Sequence, residues 1–235
     1  MIKLLLIIMM SGFIALPLSA MKVSVLAWDQ KTAKRELSIG EGEQMTKIRE
    51  MHPFARARPI EVKGREKLSL VSNDSFDEEG NPLFLPLNVD ESIQNPLVLV
   101  IPERKAPIGL KVLVIEDAVD DFEWGSLRFI NLTGENLVFQ YGKKKKFLPT
   151  GWKPSSLAPK VGRTAVAFSL REDLKTRLYT GIWDTNIGQR KLVFIVPSKD
   201  KVRGKIDFKF IVQYRAALEA EGEAQEIDEG DSAES

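Results

Sequence analysis

Residues 206–213, Ile-Asp-Phe-Lys-Phe-Ile-Val-Gln, put Ile206, Phe208, Phe210 and Val212 on one parity and Asp207, Lys209 and Gln213 on the other. Ile211 alone interrupts the polar side. A helix turning every 3.6 residues would scatter those apolar groups around its cylinder, whereas a strand collects them on one face. Short apolar runs recur between turn signals at 22–28, 67–71, 82–89, 97–101, 110–115, 126–132, 136–141, 144–148, 164–170, 177–183 and 191–196. Helical spacing is confined to 32–36 and 43–51. About a dozen short strands predict an all-β chain, an antiparallel β-sandwich of immunoglobulin-like or related type. Thr133-Gly134-Glu135 has the length of a tight hairpin turn, and Gly142-Lys143 is a second turn that returns the chain as 144–148.

The run Glu103-Arg104-Lys105 between Pro102 and Pro107 marks the best division of the chain. It separates a less regular N-terminal β region, 21–107, from a C-terminal sandwich, 108–214, against which the first region packs. One sandwich or two small ones both remain compatible with the pattern, and strand order is not set by it.

The first twenty residues stand outside this scheme. Met1-Ile2-Lys3 is a short positive start, 4–10 is unbroken apolar sequence, and Pro17-Leu18-Ser19-Ala20 closes it with small residues. This is the form of a secretory signal peptide, 1–20, cleaved after Ala20. A retained anchor is the competing reading, although the apolar run is short for a hydrocarbon layer of about 30 Å. No second long apolar stretch follows, so no transmembrane segment is expected after cleavage, and the processed chain is expected in the periplasm or outside the cell.

Charge is unevenly placed. Residues 21–215 hold 33 basic and 25 acidic residues, while 216–235 hold eight acids and no base. The segment 215–235 therefore reads as a disordered, solubilising acidic tail, or alternatively as one that screens the basic body until an anionic partner displaces it.

Composition removes several chemistries. With no Cys there are no disulfides, thiol nucleophiles or Cys-ligated metals, and with His52 alone a His-based metal site or triad lacks its parts. No metal and no cofactor are expected. The acids Glu116, Asp117, Asp120, Asp121 and Glu123 make a carboxylate-based hydrolase the least remote enzyme, but it would need two of them facing across a cleft. Neither Gly-x-Ser-x-Gly nor Ser-x-x-Lys occurs. The N-glycosylation patterns at Asn73 and Asn131 carry little information.

Two groups are candidate binding residues. Trp124, Trp152 and Trp183 each have a polar or turn residue beside them and could form a rim on which sugar rings stack, or act as buried core. Lys143, Lys144, Lys145 and Lys146 at the second turn could meet an anionic surface polymer or lipid headgroup, or simply discourage edge pairing.

Residues 124–141, Trp-Gly-Ser-Leu-Arg-Phe-Ile-Asn-Leu-Thr-Gly-Glu-Asn-Leu-Val-Phe-Gln-Tyr, resemble the opening hairpin of immunoglobulin-like domains in bacterial exported proteins. The block Arg177-Leu-Tyr-Thr-Gly-Ile-Trp with 190–197, Arg-Lys-Leu-Val-Phe-Ile-Val-Pro, is similar to exported proteins of the Verrucomicrobia and their relatives. The resemblance spans about 110–214 and implies location and fold, without catalytic residues to carry over. Together these readings predict a non-catalytic exported binding or scaffolding protein of the bacterial cell envelope. Its partner would be an envelope protein or an anionic surface polymer, not nucleic acid. A glycan-binding module using the Trp-bearing rim is the alternative.

Overall fold

The computed structural model describes residues 20–200 and 204–220. The apolar leader before Ala20 and the acidic tail beyond 220 lie outside the described residues. Ala20 opens the first strand, and Met21, the first residue of the expected processed chain, is already buried in it.

The first half comprises β1 (Ala20–Ala27), β2 (Leu37–Glu41), β3 (Gln44–Lys47), β4 (Ile60–Lys63), β5 (Ser69–Phe76), β6 (Pro82–Pro86), β7 (Pro96–Pro102) and β8 (Leu110–Glu116), with a short helix α1 (Gln30–Ala33) capped by the Asp29 side chain. These strands form two four-stranded sheets, ordered β4-β1-β7-β8 and β3-β2-β5-β6. The second half comprises β9 (Leu127–Asn131), β10 (Leu137–Tyr141), β11 (Lys144–Leu148), β12 (Gly151–Leu157), β13 (Gly162–Leu170), β14 (Arg177–Thr185), β15 (Gln189–Pro197) and β16 (Ile206–Tyr214), followed by a helical turn at 215–220. Its sheets are ordered β12-β9-β15-β16 and β11-β10-β13-β14.

The second order is the first with eight added to every strand number. Each half has one parallel pair, β1 with β7 and β9 with β15, and the other neighbours are antiparallel. The match reaches single bonds. Trp28 N donates to Val100 O at 2.8 Å where β1 ends, and Leu132 N donates to Ile195 O at 2.8 Å where β9 ends. The hairpin that pairs Glu41 with Gln44 recurs 100 residues later, pairing Tyr141 with Lys144, with Gly42 and Gly142 both at φ 56°. A left-handed backbone at that turn position matches the twist of the flanking strands and favours glycine.

The structure therefore has two sandwiches, and 102–107 lies inside the first of them: β7 and β8 pair residue for residue across that loop. The chain passes to the second sandwich between Glu116 and Leu127. Two local expectations are corrected. Residues 43–51 hold strand β3, and 133–135 do not close a hairpin, because β9 and β10 belong to different sheets. The reason is Asn131, which is 2% exposed. Its Nδ2 donates to Glu135 O and Leu148 O, and its Oδ1 accepts from the Thr133 amide and hydroxyl, so the turn becomes an arch between sheets.

Three apolar clusters hold this arrangement. The first half encloses aliphatic side chains such as Val25, Leu37, Ile39, Leu70 and Val100. The second encloses rings, including Phe129, Phe139, Phe168 and Trp183. A third cluster lies between the halves, where Leu26, Leu97 and Leu99 meet Ile130, Leu192, Phe194 and Ile211. The sheets bearing β7 and β15 are thus covered on both faces, which explains why Leu97-Val-Leu-Val-Ile101 and Leu192-Val-Phe-Ile195 are unbroken apolar runs instead of alternating ones. Strands β8 and β16 both reach across this seam, Lys111 over the Trp152 ring and Lys209 over the Trp28 ring.

Candidate binding surfaces

The three candidate tryptophans occupy three separate environments. Trp183 shares its parity on β14 with Tyr179 and Gly181, faces inward, and is 9% exposed among Phe129, Phe139, Phe168 and Phe208. Its Nε1 donates to Tyr179 Oη at 3.2 Å. Trp152 stands in the seam between the halves, edge-on to Trp28 at 6.4 Å. The Trp124 ring has the guanidiniums of Arg190 and Arg215 at 5.3 and 6.0 Å from its centre. They do not line up as a common rim. The neighbouring Asp184, which suggested a rim position for Trp183, points to the opposite face of its strand.

Lys143 sits in the turn before β11, and Lys144 and Lys145 are exposed, while Lys146 is half-buried. Lys144 and Lys146 share the inward parity of Leu148 at the edge of a sheet, a placement that blocks pairing with another chain. His52 is exposed in a loop, with Nδ1 accepting from the Phe54 amide at 3.1 Å.

The acids of 116–123 work as joints. Glu116 accepts from the backbone amides of Gln94, Asn95, Asp117 and Ala118. Burial acts to raise its carboxyl, and these four donors outweigh burial and hold it below the ordinary range. Asp117, 8% exposed, receives Arg56 in bidentate fashion at 2.6 and 2.8 Å from the first half and Arg190 Nη2 at 3.2 Å from the second. Asp121 binds the buried Arg128 at 2.7 Å. Arg128 and Arg190 both lie over the ring of Phe122, which is fully buried. The connector is thus clasped from both sides. Among the described residues, no three His, Cys, Asp or Glu come together as a metal site.

Sequence reasoning missed the flank of the second sandwich. The four sheets have eight edges. Strands β3 and β4 are four residues long, β6 is bracketed by Pro82 and Pro86, β11 carries the lysines, and β12 has Pro154 and an irregular register. β8 runs beside Trp152. The long edges are β14 and β16, nine residues each, on the same side of the second sandwich. The half-buried rings of Tyr179, Phe208 and Phe210 join Trp183 between them, with Tyr179 and Phe208 at 4.7 Å and Trp183 and Phe210 at 5.2 Å.

The direction of the free backbone groups on β14 follows from the ladder. Gly142 N donates to Ala165 O, so Ala165 turns its amide groups toward β10. By alternation Val166 bonds to Gly181, and Thr180 and Ile182 turn theirs away from β13. Both residues are exposed, Ile182 by 63%. The signal was present in the sequence as a long alternating strand without Pro.

Among the described residues, no helix is long and apolar enough to cross a membrane. No protein-family model matches the chain, and no curated protein matches it. Among solved structures, a candidate cell adhesion protein from Bacteroides uniformis aligns at 10% identity over 83% of this chain and 98% of that chain, with a TM-score of 0.22. A score of that size is far below that of a shared fold.

Proposed function

We propose that this chain is a non-catalytic binding or scaffolding protein of the bacterial cell envelope, exported by its apolar leader, and that it holds a partner protein along the flank between β14 and β16. The unpaired edge of β14 carries the reading. A partner segment added there would bond to the free backbone groups of Thr180 and Ile182 and lay alternate side chains against the Tyr179, Phe208 and Phe210 rings. The buried Asp117 is committed to Arg56 and Arg190, Asp121 to Arg128 and Glu116 to backbone amides, so these three carboxylates are spent on structure. The exposed Lys143, Lys144 and Lys145 supply a second contact, toward an anionic surface polymer.

Ile182→Pro tests the edge. Its amide points away from β13, where proline is tolerated, so the ladder survives while the donor is lost. Wild-type protein is expected to retain an envelope protein from periplasmic extract, and I182P, with an unchanged circular-dichroism spectrum, to lose it. Equal retention by I182P would overturn the edge as the contact. Recovery of the chain in the cytosol with its leader intact would overturn export.

A further inference from the structure

A cleft of about 670 Å³ opens between the two halves and shares Phe210 with the flank described above. Its wall is mostly apolar, with Phe54, Ala55 and Pro59 from the first half and Phe210, Val212 and Leu218 from the second. Arg56, Asp117 and Arg190 also stand in this wall, with Lys22 beside them. The Arg56, Asp117 and Arg190 side chains are 6%, 8% and 3% exposed.

The donors and acceptors in that trio do not balance. Both Asp117 carboxylate oxygens are taken, Oδ1 by Arg56 Nη2 and Oδ2 by Arg56 Nε and Arg190 Nη2. Every nitrogen of Arg190 is also engaged, Nε with Gln213 Oε1 and Nη1 with the carbonyls of Asp117 and Phe122. Arg56 Nη1 is buried and has no partner, and it is the one buried side-chain nitrogen or oxygen in that condition among the described residues. Two guanidiniums share one carboxylate, which leaves an uncompensated positive charge in a low-dielectric wall. Burial pulls the Arg190 guanidinium down to about 10 against the pull of Asp117, with Arg56 and Arg128 adding repulsion, in keeping with a surplus of cations. Unpartnered buried donors are rare because each forfeits its full desolvation cost.

We infer that this cleft binds a carboxylate carried on an apolar body, with a carboxylate oxygen accepting from Arg56 Nη1 after a small shift of the wall uncovers that buried nitrogen, and the apolar part lying against Phe54, Val212 and Leu218. The carboxylate supplies both the missing acceptor and the missing charge, and the wall accounts for the apolar part. A free small acid and the C-terminus of a peptide present the same chemistry.

Isothermal titration of the processed chain with octanoate, and with octan-1-ol as its uncharged counterpart, tests the inference. A peptide ending in Phe-Leu, with a free or an amidated terminus, forms the other arm. One-to-one binding of octanoate or the free-acid peptide is expected, at least tenfold tighter than octan-1-ol or the amide. Which of the two acids binds more tightly identifies the source. Ala55→Trp, at an exposed position in the cleft wall, is expected to weaken binding at least tenfold without unfolding the chain. Arg56→Gln is expected to abolish the preference for the charged ligand; where R56Q fails to fold, A55W decides. Equal binding of charged and uncharged ligands, binding untouched by A55W, or no binding of either acid at millimolar concentration would overturn the assignment.

Discussion

The two halves share one strand order, one set of parallel pairs and one hairpin, yet fill the space between their sheets differently. Ile39 pairs with Leu70 in the first half, and at the matching places Phe139 pairs with Phe168 in the second. All four are fully buried. The lesson is that inward parity and turn geometry suffice to specify this architecture, while the choice between branched aliphatics and rings is left to packing. The choice has consequences at the edges. Rings are long enough to span from β14 to β16 and half-cover the open flank, which aliphatic side chains would leave bare.

The contact that makes the halves one body gives the largest expected effect. Asp117→Ala leaves Arg56 and Arg190 buried without their carboxylate, a change that costs about 3–5 kcal/mol. Urea unfolding followed by Trp fluorescence and by circular dichroism should coincide in the wild type and separate in D117A. Coincident, unshifted curves would show that the halves cohere without the clamp. Next come the interiors. Phe139→Ala is expected to cost about 3–5 kcal/mol and Ile39→Ala about 2–5 kcal/mol in chemical denaturation, with the ring position the more sensitive. An insensitive Phe139 would mean that the aromatic cluster repacks freely.

A smaller effect tests the equivalence of the hairpins. Gly42→Ala and Gly142→Ala place a Cβ at φ 56° without a close clash, and each should cost about 1–2 kcal/mol. A clear inequality in denaturation midpoints would break the correspondence. A pH dependence also separates the halves. Burial lowers the Lys209 ammonium from 10.5 to about 8, opposed by the charge of Asp29, while its counterpart in the first half is Leu113. The unfolded chain therefore holds more protons between about pH 8 and 10.5, and stability should rise with pH through that window. Lys209→Met should make that rise shallower, leaving the part that Lys191 contributes, as measured by melting temperature across the window.

Much of this was legible beforehand. Alternation along 206–213 placed Phe208 and Phe210 inward, and Gly142-Lys143 marked a turn that closes as read. The same parity rule assigns Trp183 to the interior, because Tyr179, Gly181 and Trp183 alternate with Thr180, Ile182 and Asp184; an adjacent polar residue in a strand is evidence of burial on the other face, not of exposure. Other features were beyond reach. Arg56 and Asp117 are 61 positions apart, and Asp117 and Arg190 are 73 apart, so no local pattern announces their meeting. The duplication is hidden for the reason the comparison gives: where only parity matters, Trp28 and Leu132 can hold matching places without any likeness of side chain.

The clasped connector between Glu116 and Leu127 also has a mechanical meaning. With Phe122 sealed beneath two guanidiniums, the joint is pinned at its middle, and a protease that cuts at slack segments should cut it slowly. Four sheets stacked at about 10 Å intervals then fix the outermost pair roughly 30 Å apart.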